Sequence, residues 1–152
     1  MNKVTINNEI ELTYPDSFKE MNEAELTKYF SSPENRWGIF EPDSRILFSI
    51  GWAKAGAFAD AEAMLDKMET RMRSSLLNYQ RINVFDTKLG SKKARGLRFE
   101  YRVNDAAIVH IAEIIAFKHK KKLYATHFVT RKVQVGANNL VYKEIIDSIN
   151  VL

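Results

Sequence analysis

The sequence contains no cysteine. Disulfides, thiolate metal sites, iron–sulfur clusters and cysteine nucleophiles are therefore excluded together. Glycine occurs only six times. No glycines are spaced as G-x-x-x-x-G-K or G-x-G-x-x-G, so the two common backbone cradles for phosphate are missing. No serine lies in G-x-S-x-G, and with it goes the strained turn that exposes a hydrolase nucleophile. Long apolar runs are absent as well. No segment supplies the roughly 18 uncharged apolar residues of a bilayer span, and MNKVTINNEIELTYP has no signal-peptide core. With Met1 in first place, the expectation is a soluble, cytoplasmic protein without a membrane span. No repeat, low-complexity tract or Pro/Gly-rich linker divides the 152 residues, so residues 1–152 are read as one domain. A domain of that size buries roughly 68–70% of the surface its unfolded chain exposes.

Charge is present in quantity and unevenly placed. Residues 1–70 carry seven Lys or Arg against thirteen Asp or Glu, a net of −6, whereas residues 71–152 carry sixteen against six, a net of +10. Such asymmetry marks nucleic-acid or acidic-partner surfaces in some chains. In a compact domain the two halves also interleave and neutralise each other, and that reading is favoured here.

Hydrophobic periodicity supplies the elements. VTI-NN-EIELTY reads as a hairpin: Val4 and Ile6 alternate with polar residues, Asn7 and Asn8 tolerate positive φ, Ile10, Leu12 and Tyr14 resume the alternation, and Pro15 ends it. NEAELTKYF predicts a short helix with Asn22 as N-cap, Glu25 as its capping-box partner, Leu26, Tyr29 and Phe30 on one face, and Pro33 as its stop. RWGIF and RILFSIGWAK flank the turn residues of EPDS and form a second hairpin, with Ile46, Phe48, Ile50 and Trp52 on one face. From Phe58 to about Gln80 the period becomes helical, through Ala61, Leu65, Met68, Met72, Leu76 and Tyr79.

RINVFDTKL then begins a run of strands. LRFEYRV sets Leu97, Phe99, Tyr101 and Val103 against Arg98, Glu100 and Arg102. After a turn at Asn104 and Asp105, AIVHIAEIIAFK is apolar on both faces, as a central strand covered on each side requires. The basic turn KHKKK returns the chain along LYATHFVTR. NNLVYKEIIDSINVL predicts a final helix with an Asn N-cap and a stripe of Val141, Ile145, Ile149 and Leu152. The order is ββαββαββββα, an α+β protein with a mainly antiparallel sheet flanked by helices.

This order, with LTYPDSF closing the first hairpin, NRWGIF and SIGW in the second, and FKHKKKLYATHF before the last helix, resembles the PsbP-like fold. That fold is shared by the extrinsic photosystem subunit, the Ran-binding nuclear import factor and bacterial DcrB-type domains. The resemblance implies an α/β/α sandwich acting as a binding module, and it carries over no contact residue. Secretion-associated chaperones of similar fold bind apolar helices of their effectors.

Candidate functional residues are few. Burial is favoured for Trp37, but the polar lead-in Pro33–Arg36 leaves its indole a candidate partner anchor. Phe40, Trp52, Arg98 and Arg102 join it as candidate partner-binding residues. A pocket between the sheet and the long helix would be lined by Met64, Met68, Tyr101, His110 and His127, with two adjacent strands bringing the histidines together. His110 and Glu113, three apart on a strand, point to opposite faces and make no ligand pair. Lys92, Lys93, Arg95, Arg98 and Arg102, and the stretch Lys118 to Lys122, are basic with Tyr101 and Tyr124 interleaved. Tyr101 faces away from Arg98 and Arg102, however, whereas a stacking platform needs both on one surface.

The sequence therefore favours a non-enzymatic, bacterial protein-binding or adaptor module, chaperone-like in kind and able to form a homodimer. No catalytic residue, metal or cofactor is assigned. A small-molecule or enzymatic pocket is the alternative, and nucleic-acid binding through the basic half comes third.

Overall fold

The computed structural model describes residues 1–30, 34–103 and 107–152. Strands β1 (Asn2–Ile6) and β2 (Ile10–Tyr14) pair as a hairpin whose turn places Asn7 and Asn8 at φ of 55° and 54°. Asparagine visits this left-handed region at low cost because its short amide bonds locally. After the two-residue β3 (Lys19–Glu20), helix α1 (Glu23–Tyr29) opens on the complete capping box: Asn22 Oδ1 accepts from the Glu25 amide, and Glu25 Oε1 accepts from the Asn22 amide. Strands β4 (Arg36–Glu41) and β5 (Ile46–Lys54) follow, then helix α2 (Ala61–Ser75). Four long strands come next: β6 (Leu77–Leu89), β7 (Lys92–Arg102), β8 (Val109–His119) and β9 (Lys122–Arg131). A 3₁₀ turn, Lys132–Gln134, leads into α3 (Val135–Asp147), and β10 (Asn150–Val151) ends the chain against β2.

The larger sheet has seven strands in the order β3-β4-β5-β9-β8-β7-β6, and every pairing in it is antiparallel. Its first face carries Ile39, Phe48, Ile50, Phe117, Tyr124 and Phe128. The small β1-β2-β10 sheet and α3 cover that face with Ile10, Leu12, Tyr142 and Ile145. The second face carries Leu97, Phe99, Ala112, Ile114 and Ala116 beneath Leu65 of α2. Strand β8 contributes to both cores and is buried from Ile111 through Phe117, which is why its sequence does not alternate. Glu113 interrupts that run and faces α3, where its carboxylate accepts from the Tyr142 hydroxyl at 2.5 Å and from Arg98 Nη1 at 2.9 Å.

Three expectations are corrected. The long helix starts at Ala61, capped by Asp60, and stops at Ser75; Leu76 is already extended. Tyr79 belongs to β6 and stacks on Phe99 at 5.1 Å. Leu76, the C-cap residue, and Tyr79 on β6 both pack on the second core three residues apart, so the helical spacing runs on past the helix end and the period alone did not mark the boundary. The last helix has no Asn N-cap. It begins at Val135 after the 3₁₀ turn, and Asn138 lies buried within it, its Nδ2 donating to Ser44 O and Thr130 Oγ1, each at 2.7 Å. Leu152 is half exposed beyond β10 and is no part of the helical stripe. The Pro33 helix stop and the Asn104–Asp105 turn lie outside the described residues.

Candidate functional site

Antiparallel pairing brings distant segments to one end of the large sheet. At this end, here called the rim, β4 and β9 finish and β5 and β8 begin, so that His110 lies opposite Arg131 and Glu41 opposite Ile46. Strand β7 also finishes here and β6 starts. Two depressions adjoin one another along the rim. One, of about 320 Å³, is lined by Tyr29, Phe40, Leu47, His110, Arg45 and Arg131 among others. The other, of about 430 Å³, runs from Ala107, Ile108 and Val109 to Lys132 and Val133 and shares Arg131 with the first.

Apolar exposure is concentrated here. Of the ten large hydrophobic side chains exposed among the described residues, five stand at this end: Tyr29, Leu77, Val103, Ile108 and Val133. Val133, at 91% exposure, is held out by the 3₁₀ turn. Cations are interleaved with them. Arg45, Arg102 and Arg131 form no ion pair among the described residues, whereas Lys132 is 3.0 Å from Glu100. Glu41, the acidic group in the first depression, is committed to its own turn. It accepts from the Ser44 hydroxyl and from the Ser44 and Asp43 amides, and these bonds hold its pKa below the ordinary value. His110 stacks on Tyr101 at 5.4 Å, and burial, helped by Arg131, lowers its pKa. Burial pushes the Tyr101 hydroxyl up to about 12. The rim is thus a neutral aromatic and aliphatic floor edged by guanidinium groups, a surface suited to carboxylates carried beside apolar side chains.

No protein-family model matches the chain, and no curated protein matches it. Solved structures do. Cyanobacterial PsbP (CyanoP) from Synechocystis superposes with a TM-score of 0.71 over 99% of this chain and 92% of its own, at 13% identity. LpqN of Mycobacterium tuberculosis, involved in cell envelope biogenesis, superposes at 0.64 over 93% of this chain and 82% of its own, at 14% identity. The Saccharomyces cerevisiae Ran-binding protein Mog1p superposes at 0.61 over 99% and 94%, at 7% identity. The chain has the PsbP-like fold. At these identities the likeness speaks of fold alone.

Within this PsbP-like fold the sequence-derived candidates are scattered. Trp37 lies in the core at 9% exposure, 5.7 Å from the Tyr14 ring, and offers no anchor; the β1-β2 hairpin covers what the polar lead-in left open. Trp52, half-buried, packs on Tyr124 on the first face. Arg98 is neutralised by Glu113 and also donates to Asn139 Oδ1. Phe40 and Arg102 lie at the rim.

Met64 and Met68 pack from α2 onto the second core, filling the space where a pocket was expected. His110 and His127 share the second face but do not meet: His127 is opposite Ile114, four residues from the partner of His110, or roughly 13 Å along the strand. Instead His127 neighbours Phe30, with ring centroids 6.2 Å apart, and burial beside Arg36 lowers its pKa to about 4. No group of three His, Asp or Glu among the described residues could hold a metal ion.

Tyr29, Arg45, Ile108, Arg131 and Val133 were not singled out as site residues. Each sits at a strand or helix end, and only the strand register brings them together.

Proposed function

We infer that the protein is a non-enzymatic binding module and that its partner is a protein segment combining apolar side chains with Asp or Glu, seated on the rim. The observation that carries this reading is the gathering of half the exposed large hydrophobics at one end of the sheet, interleaved with three arginines lacking carboxylate partners among the described residues. Solvent-exposed apolar groups in one place mark an interaction surface, and arginine is the cation best suited to an interface carboxylate. Mog1p, of the same fold, is a Ran-binding protein, which supports a protein as the class of partner.

Panning a displayed random-peptide library tests the reading. Enriched peptides should pair aromatic or aliphatic residues with acidic ones, shift the amide signals of Leu47, Val109 and Arg131, and lose about tenfold or more in affinity against Arg131→Glu. Enrichment without acidic bias, or shifts confined to another surface, would refute it. A second copy of the chain is the competing occupant. Concentration-dependent mass in sedimentation equilibrium, abolished by Val133→Asp, would assign the rim to a homodimer instead.

A further inference from the structure

The opposite end of the sheet is built differently. There β5 ends, the β8–β9 turn reverses and the β6–β7 turn reverses. The register sets Lys54 opposite Lys122, His119 opposite Lys122, Lys88 opposite Lys93 and Leu89 opposite Lys92. Lys118, Lys120 and Lys121 complete a band of eight lysines spread over five neighbouring strands, a width of roughly 19 Å. Lys122 and Lys120 lie 2.9 and 3.9 Å from the buried Glu9. Lys54, Lys88, Lys92, Lys93 and Lys121 pair with no carboxylate among the described residues. Of the acidic groups nearby, Asp86 is taken by Arg95, Glu9 is held by Lys122, Asp60 caps α2, and Glu62 and Asp66 act on Arg95 from α2.

Beside this band stands the loop Ala55–Ala59, sequence AGAFA, which has no charged or hydrogen-bonding side chain. Its tip, Phe58, is 99% exposed. The lysine turn itself pins the loop. The Ala55 amide donates to Lys121 O at 2.9 Å, and Lys118 Nζ donates to Gly56 O at 3.1 Å and Ala57 O at 3.3 Å. The Ala59 amide closes a turn onto Gly56 O. A phenylalanine is thus presented to solvent on a braced loop within a field of lysines.

We propose that this end docks the protein on an anionic membrane surface, the lysines facing lipid headgroups and Phe58 entering the acyl boundary. Basic residues are attracted within about a Debye length of an anionic leaflet, and an apolar side chain beside them gains by leaving water. Two observations favour lipid over nucleic acid. The unpaired cations are all lysines, with no arginine fork for phosphate or base edges. The aromatic is one protruding side chain on an apolar loop and not a ring laid flat in a basic groove.

The test is co-sedimentation of the full chain with phosphatidylcholine vesicles containing about a third phosphatidylserine, beside pure phosphatidylcholine vesicles and a single-stranded RNA. Binding is expected on the anionic vesicles alone and should fall steeply at about 0.5 M salt. Phe58→Ala should weaken it about tenfold, and the combined Lys88→Gln, Lys93→Gln and Lys121→Gln variant about a hundredfold. All four positions are exposed, so unchanged circular dichroism is expected and any loss reports on docking. Equal partition to both vesicle types, or anionic binding indifferent to Phe58→Ala, overturns the proposal. RNA bound more tightly than vesicles through the same lysines assigns this end to nucleic acid.

Discussion

Replacing Glu69 by glutamine removes the charge that fastens α2 to β6. The carboxylate is 7% exposed and accepts from Arg81 Nε and the Tyr79 hydroxyl, each at 2.8 Å. Arg81 Nη2 bonds its other oxygen, and Arg73 Nη2 lies at 3.3 Å. These bonds, those from Arg81 foremost, lower its pKa from 4.5 to about 2 against the opposing effect of burial. A carboxylate whose folded pKa is depressed contributes stability above its unfolded pKa and loses that contribution as pH falls through the folded value. The whole shift corresponds to about 3 kcal/mol. Because Arg73 and Arg81 are 52% and 46% exposed, solvent screening reduces the expectation to about 2 kcal/mol. Urea unfolding at about pH 7 should therefore place Glu69→Gln about 2 kcal/mol below the parent, with Tm lower by roughly 4–8 °C. The difference should narrow as pH drops below 4.5 towards 2. A difference under about 0.5 kcal/mol at neutral pH, or one unchanged at about pH 3, would refute the assignment.

Other expectations follow from the same packing. With Trp52→Phe, the remaining emission comes from Trp37 at 9% exposure and should resist acrylamide; strong quenching would show that the β1-β2 hairpin leaves the indole open. A Cβ at Gly96 would fall 2.2 Å from Phe85 Cζ, so Gly96→Ala must displace the ring. It should cost about 1–3 kcal/mol in the parent and much less in a Phe85→Ala background, a coupling that a double-mutant cycle reads directly. Asn8 at φ of 54° should tolerate glycine, whereas Asn8→Val lowers stability by about 1–2 kcal/mol in thermal unfolding; equal effects would place the strain elsewhere.

Features written in a few adjacent residues are legible in the sequence. The Asn7–Asn8 turn, the Asn22–Glu25 box and the alternation of Leu97, Phe99 and Tyr101 each depend on neighbours within a handful of positions, and each forms as expected. The apolar character of β8 also identified a strand covered on both faces. The end of α2 was not legible, because Leu76 and Tyr79 keep the helical spacing beyond the last helical residue, and pairing with the neighbouring strand ends the helix. The Asn pair of NNLVY looked like a cap by residue type, yet Asn138 lies inside the helix and its partners, Ser44 and Thr130, are distant or across a turn. The rim was hidden for the same reason. Arg45 and Arg131 are far apart in sequence, and the pairing of β5 with β9 and β9 with β8 places them beside one depression. Periodicity fixes which face a side chain takes, while register fixes which strand ends meet.

That register also decides where the lysines of the basic half gather. In four consecutive antiparallel strands the β6–β7 and β8–β9 turns must fall at the same end, so the lysines of both turns converge there, away from the rim. Strand β8 spans the distance between the ends with 11 residues, or about 36 Å. The Debye length at physiological salt is about 8 Å, so charge at one end is screened from the other. A rim-binding peptide should accordingly have the same affinity, within about twofold, for free chain and for chain held on anionic vesicles. Fluorescence anisotropy of a labelled peptide, titrated with and without vesicles, measures this. A change of about fivefold or more in either direction would show that the two surfaces overlap or are coupled through the sheet, and the separation of roles between its ends would fail.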